Sequence, residues 1–185
     1  MTYAKNSALS LTRRGFLGST AGLCFVISFG GGGLSLVPEA EAKRKDCVIG
    51  AWVRIAPDNT ITIITPAAEM GQGSMTGVPT ALAEELDADW SKVRVEQSPI
   101  DPKIYGRPGW GGRGYHMITV GSMTVRGYFM PLRQAGAQAR YVLLKNASIK
   151  WKIPLTELKT EPSMVLHRAT NQRMSYGEIA SFAKT

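Results

Sequence analysis

The sequence predicts an α+β fold: a small mixed domain with a hairpin-containing sheet packed by helices, preceded by an export signal. Three observations carry this. Residues 60–65, Thr-Ile-Thr-Ile-Ile-Thr, are β-branched throughout and follow the turn residues Pro57-Asp58-Asn59, which reads as the second arm of a hairpin. Val78, Leu82 and Leu86 recur at four-residue spacing, the period of a helix that buries one face. The first 42 residues have the layout of an address.

In that address Arg13-Arg14 precedes Phe16-Leu17, residues 15–37 carry no charge, and Ala40-Glu41-Ala42 offers a small-x-small cleavage site before Lys43. This order marks a twin-arginine signal. The uncharged run of 23 residues is also long enough to span a bilayer, so a retained membrane anchor is the alternative. Seven glycines make the run only mildly hydrophobic, which favours cleavage. The expected division is 1–42 as signal peptide and 43–185 as folded domain, in the periplasm. The twin-arginine route moves proteins already folded, which suits one that loads a complex cofactor before export.

The elements follow in order. Residues 48–55 read as a first strand, and 60–65 as its hairpin partner. Residues 66–74 form a Gly-rich loop before the helix marked by Val78, Leu82 and Leu86. Val93 and Val95 alternate within 92–97, a third strand. Pro99, Pro102 and Pro108 with several glycines make 98–118 a long loop. A long helix is expected from Ser122 towards Trp151, where Pro131 breaks or kinks it unless it marks a second start. Residues 155–158 give one more turn, 164–167 a strand and Asn171 a turn. Ser175-Tyr176-Gly177-Glu178 is a capping box opening a final helix. The order ββαβ-loop-αββα lacks the strict alternation of a parallel dinucleotide-binding sheet.

Composition narrows the chemistry. Apolar residues at 44% suffice for a core, and charged residues at 19% argue against disorder. Cys24 and Cys47 are the two cysteines, which excludes a disulfide scaffold and a four-cysteine zinc or iron–sulfur site built from this chain alone. Cys24 leaves with the signal. His116 and His167 leave little for a histidine metal site. The net charge of +8 points to an anionic partner.

Two loops are candidates for binding. In Glu69-Met70-Gly71-Gln72-Gly73-Ser74 the glycines let a ligand approach the backbone, Gln72 donates and accepts hydrogen bonds, and a helix N-terminus follows. An ordinary turn with Ser74 capping the helix is the other reading. Thr119-Val120-Gly121-Ser122-Met123-Thr124 has the same build, with Ser122 either a cap or a ligand to an anion. No acidic residue lies between Asp101 and Glu157, whereas nine basic ones do. Arg126, Arg133 and Arg140 among them form a stripe that suits a surface contact or a ligand field. Trp110, Tyr115 and Tyr128 lie among these arginines as a stacking platform would, but export argues against nucleic acid. No Gly-x-Ser-x-Gly elbow is present, and Glu84 and Glu85 point apart on a helix.

Residues 52–139 resemble the molybdopterin-binding large subunit of the xanthine dehydrogenase/aldehyde oxidase family, in the branch of the isoquinoline 1-oxidoreductase beta subunit and related aldehyde dehydrogenases. The resemblance rests on Thr-Pro-Ala-Ala-Glu-Met-Gly-Gln-Gly at 65–73, Leu-Ala-Glu-Glu-Leu at 82–86, and Val-Arg-Gly-Tyr at 125–128 ahead of Ala-Gly-Ala at 135–137. It implies that Met70, Gly71, Gln72 and Gly73, then Gly121, Ser122 and Thr124, contact a molybdenum–molybdopterin cofactor, often in its cytosine dinucleotide form. It further implies oxidation of aldehydes or N-heterocycles with water as oxygen source. Electrons would leave through iron–sulfur clusters on a small partner subunit and in some cases on to a cytochrome. The family's catalytic glutamate, in a Gly-Val-Gly-Glu context, has no counterpart here, nor has its Gly-Gly-Phe-Gly loop. Glu178 reads as a helix cap instead. No catalytic residue is therefore assigned, and the chain resembles the N-terminal portion of such a subunit, to be completed by the remainder or a second polypeptide. An exported, non-catalytic binding domain that docks a partner through the arginine stripe, or a degenerate fragment, is the alternative.

Overall fold

A computed structural model of the chain describes residues 47–108 and 114–183. The export signal and the glycine-rich 109–113, including Trp110, lie outside these residues. Strands β1 (Cys47–Ile49), β2 (Val53–Ile55), β3 (Ile61–Thr65) and β4 (Val93–Gln97) form one sheet in that order. β1 pairs β2 and β2 pairs β3 antiparallel, whereas β3 pairs β4 in parallel, Ile63 opposite Val95. The single strand expected over 48–55 is thus two. Gly50 takes φ +75° and turns the chain between Ile49 and Val53, a conformation that costs glycine little.

Helix α1 (Ser74–Leu86) crosses from β3 to β4 and buries Val78, Leu82, Ala83 and Leu86 against the sheet. The expected loop over 98–118 contains a short helix, α2 (Pro102–Tyr105), and a two-residue ladder of β5 (Arg107–Pro108) with β6 (Tyr115–His116). The Asp101 carboxylate accepts the Lys103 amide at 3.0 Å and Pro102 opens the turn, a favourable helix start.

The long helix α3 (Met123–Trp151) passes through Pro131 without ending. Pro131 removes one intrahelical donor and is exposed, so the helix loses a bond on the side where water can replace it. Tyr128, Leu132, Gly136 and Ala139 are buried on both sides of it and hold the two halves to the core. α3 meets α1 at Gly136, where an added Cβ would lie 2.3 Å from the Leu82 carbonyl oxygen. Only a glycine allows that approach.

A second, antiparallel sheet joins β7 (Lys159–Glu161), β8 (Met164–His167) and β9 (Gln172–Ser175), followed by α4 (Tyr176–Ala180). The polar Lys-Thr-Glu of β7 carries no strand signal in sequence and forms on the edge of β8. The capping box at 175–178 is present as expected. Asn59, buried at φ +71°, accepts the Gly177 amide at 2.8 Å. Ser163 accepts the Asp89 amide on its hydroxyl at 2.8 Å and donates its own amide to the Asp87 carbonyl at 2.8 Å. These bonds fasten the second sheet to the first, and Val165, Met174 and Tyr176 join the same core as Ile61 and Leu82.

Candidate functional site

The loop between β3 and α1 leaves the sheet at the carboxyl end of parallel strands, where open α/β sheets commonly place ligands. Its organiser is Glu69. One carboxylate oxygen accepts the amides of Gly71 at 2.7 Å and Gly73 at 3.0 Å; the other accepts the Met75 amide at 2.9 Å. The Met75 and Gly73 amides hold the Glu69 carboxyl down to about 2. Gly71 and Gly73 adopt φ +92° and +77° to present those amides. Gly73, in the left-handed region, is the N-cap of α1, and no side chain caps from that position. The expected Ser74 cap is therefore replaced by Glu69. An open anion site at this helix start is also corrected, because a carboxylate of the chain already occupies it.

Gln72 completes the loop. Its Oε1 accepts the Met70 amide at 2.6 Å, and its Nε2 donates to the Ala68 carbonyl at 2.6 Å and the Ser74 hydroxyl at 2.9 Å. Both N–H groups are engaged, so one Oε1 lone pair remains to be offered outward. A further bond, from the Ala68 amide to the Thr119 hydroxyl at 3.1 Å, ties this loop to the second one.

The second loop turns through Gly121 at φ +61° and Ser122 at φ +54°. Ser122 is the N-cap residue of α3, but its side chain makes no capping bond, and the first turn holds no acidic residue. The leading amides of α3 therefore lack a side-chain acceptor, unlike those of α1.

Both loops line one open cavity of about 350 Å³. Of the sequence-predicted residues, Met70, Gln72, Gly121, Ser122 and Thr124 face it; Gly71 and Gly73 are not in its lining. Thr119, Val120 and Val125 complete the wall. Of these, Thr119 has a sequence signal, a hydroxyl directly before Val120-Gly121. Among the described residues no acidic side chain lines the cavity. The donor set is hydroxyls and helix amides, set between apolar walls of Met70, Val120 and Val125. It suits an anion joined to a flat heterocycle.

The other candidates lie elsewhere. No arginine of the stripe lines the cavity: Arg133 forms an ion pair with Glu85 of α1 and lies over the Phe129 ring. Tyr128 is buried and packs near Trp52, so it cannot serve a stacking platform. His167 is buried between Thr170 at 2.8 Å and Glu157 at 3.1 Å. Among the described residues no cluster of His, Cys, Asp or Glu could hold a metal ion. Among them, too, no helix is long and apolar enough to cross a membrane.

Comparison with known proteins identifies relatives of the whole described chain. The family model of the molybdopterin cofactor-binding domain matches residues 3–185. The chain is 40% identical over 174 residues to the isoquinoline 1-oxidoreductase subunit beta of Brevundimonas diminuta, covering 92% of this chain and 22% of that protein. It is 32% identical over 176 residues to a membrane-bound aldehyde dehydrogenase (pyrroloquinoline-quinone) of Gluconacetobacter polyoxogenes, covering 93% and 21%. The chain thus spans about a fifth of the length of these curated relatives. Its fold matches the CO dehydrogenase structure from Oligotropha carboxidovorans with a TM-score of 0.54 at 16% identity, over 70% of this chain and 15% of that one. With the family model spanning nearly every residue and a curated relative 40% identical over 92% of the chain, the chain belongs to the molybdopterin cofactor-binding domain family.

Proposed function

We propose that this chain supplies part of the cofactor site of a molybdenum hydroxylase large subunit that oxidises aldehydes or N-heterocycles with water as oxygen source. The observation that carries this is the meeting of the Met70–Gln72 motif with Gly121, Ser122 and Thr124 in one cavity that no carboxylate of the described residues lines. The residues fit a molybdopterin group by their donors. The uncapped start of α3 and the Ser122 and Thr124 hydroxyls suit its phosphate, and in the cytosine dinucleotide form its pyrophosphate. The free Oε1 lone pair of Gln72 suits an N–H edge of the pterin. Met70 and Val125 close the flat faces off from water. When bound, the molybdenum centre supplies the oxygen-transfer and redox chemistry.

This chain's own part is binding and orientation. It holds neither the family's glutamate base nor cysteines for clusters. On this reading the base comes from the remainder of the subunit or a second polypeptide, and iron–sulfur clusters sit on a small partner subunit that passes electrons on, in some systems to a cytochrome. The twin-arginine pattern at Arg13-Arg14 supports assembly before export to the periplasm.

The test is the molybdenum content of the protein purified natively from its own cells with co-purifying subunits retained. Stoichiometric metal that falls in Gln72→Ala is expected. A complex with its subunits intact and no molybdenum would overturn the reading and favour a non-catalytic exported domain.

A further inference from the structure

Behind the cavity wall lies a cation that the cofactor reading does not use. Arg107 is 3% exposed. Its Nη2 donates to the Ile118 carbonyl at 3.3 Å, and its Nε has no hydrogen-bond partner among the described residues. Among the described residues no carboxylate pairs with it, although Arg54, Arg133 and Arg173 each have one. Burying a guanidinium without a counter-ion is costly, so a residue placed this way does something a smaller apolar side chain could not.

Its surroundings indicate what. Ile118 directly precedes Thr119 and Val120, which line the cavity. Arg107 sits in β5 opposite His116 of β6, and from there it reaches the strand's continuation at Ile118. On its other side α3 approaches at Gly127, where an added Cβ would lie 2.5 Å from Arg107 Cδ. One residue on, Tyr128 packs near Trp52, which itself meets the Tyr105 ring edge-on at 5.1 Å. The guanidinium is thus gripped between a ladder and a helix and holds the one backbone carbonyl from which the wall departs.

We propose that Arg107 is a positioning residue that fixes the course of the cavity wall over 119–122 by clamping the Ile118 carbonyl, with Gly127 clearing the space it needs. The inference uses the molybdopterin reading only for what the wall meets; the clamp itself is measurable without any ligand.

The experiment is the backbone amide order parameter of the full chain, measured by 15N relaxation residue by residue, for wild type, Arg107→Gln and Arg107→Lys. In Arg107→Gln the value over 119–122 should fall from the rigid range of about 0.85 towards about 0.6, while α1 and β8–β9 keep wild-type values. Arg107→Lys keeps a cationic donor on a long stem and should recover part of that order. Unchanged order over 119–122 in a folded Arg107→Gln chain would overturn the proposal. If that variant loses order everywhere, Gly127→Ala decides. A loss confined to 119–122 and β5–β6 supports the clamp; a uniform loss, or none at 119–122, removes it. A chain that binds no molybdenum yet shows the local loss keeps the clamp and loses only the cofactor reading.

Discussion

The Glu69 carboxylate accepts the amide of Met75, six residues on, at 2.9 Å, so helix α1 begins with an anion of its own. α3 begins without one. Two loops that look equivalent in sequence therefore differ in chemistry: the first is a self-contained frame, and the second leaves its helix start without a side-chain acceptor.

This frame makes stability depend on acid pH. Glu69 is held at about 2, below its ordinary 4.5, chiefly by the Met75 and Gly73 amides. A depressed carboxyl stabilises the fold fully above its unfolded value and loses that contribution as pH falls through the folded one. Wild type should therefore exceed Glu69→Gln in urea midpoint at pH 7, with the gap closing between about pH 4.5 and 2. A gap that stays constant down to pH 2 would mean the carboxylate does not hold the loop.

Two glycines of α1 and α3 should respond oppositely to alanine. At Gly136 the new Cβ meets the Leu82 carbonyl oxygen at 2.3 Å, so Gly136→Ala forces the helices apart and should cost about 1–3 kcal/mol. At Gly77 nothing lies within 4 Å, and Gly77→Ala should stabilise by about 0.4–1 kcal/mol through the unfolded chain. Chemical denaturation of both variants checks the pair. Equal effects would mean that the α1–α3 contact is looser than the structure shows.

Asn59 joins parts of the chain far apart in sequence. Its Oδ1 takes the Gly177 amide, and its Nδ2 points to the Ser163 carbonyl at 3.5 Å across 104 residues. Asn59→Ala strands a buried donor and should cost about 1–3 kcal/mol. The loss should appear first as faster hydrogen exchange in β7–β9 and α4, ahead of β3 and α1. Uniform acceleration would show that the second sheet is not a separate unit of opening.

What sequence reveals here is what is local. The period of Val78, Leu82 and Leu86, the box at Ser175 and Glu178, and the composition of both cavity loops are short-range signals, and the structure places each where the pattern puts it. Long-range geometry is less legible. Nothing in 48–55 announces that Gly50 reverses the chain, and nothing in Pro131 shows that packed flanks carry α3 through it. Glu69 is visible as part of a motif, but its role as a cap depends on the left-handed Gly73 turning three amides inward. The buried Arg107 has no pattern at all, since its partner is a backbone carbonyl.

Ser122 separates stability from binding. It holds φ +54° without being glycine, a conformation that costs an L-residue about 1–2 kcal/mol, and its side chain makes no capping bond in return. It also lines the cavity. Under the proposed function this strained position faces the cofactor. Ser122→Gly should relieve the strain, offset by glycine's backbone entropy of about 0.5–1 kcal/mol, so the fold should be unchanged or slightly more stable. Loss of the hydroxyl should lower the molybdenum retained by the native complex. Thermal melting and metal analysis of the same preparation read both effects. A variant both more stable and equally loaded would show that the serine serves neither the loop nor the ligand.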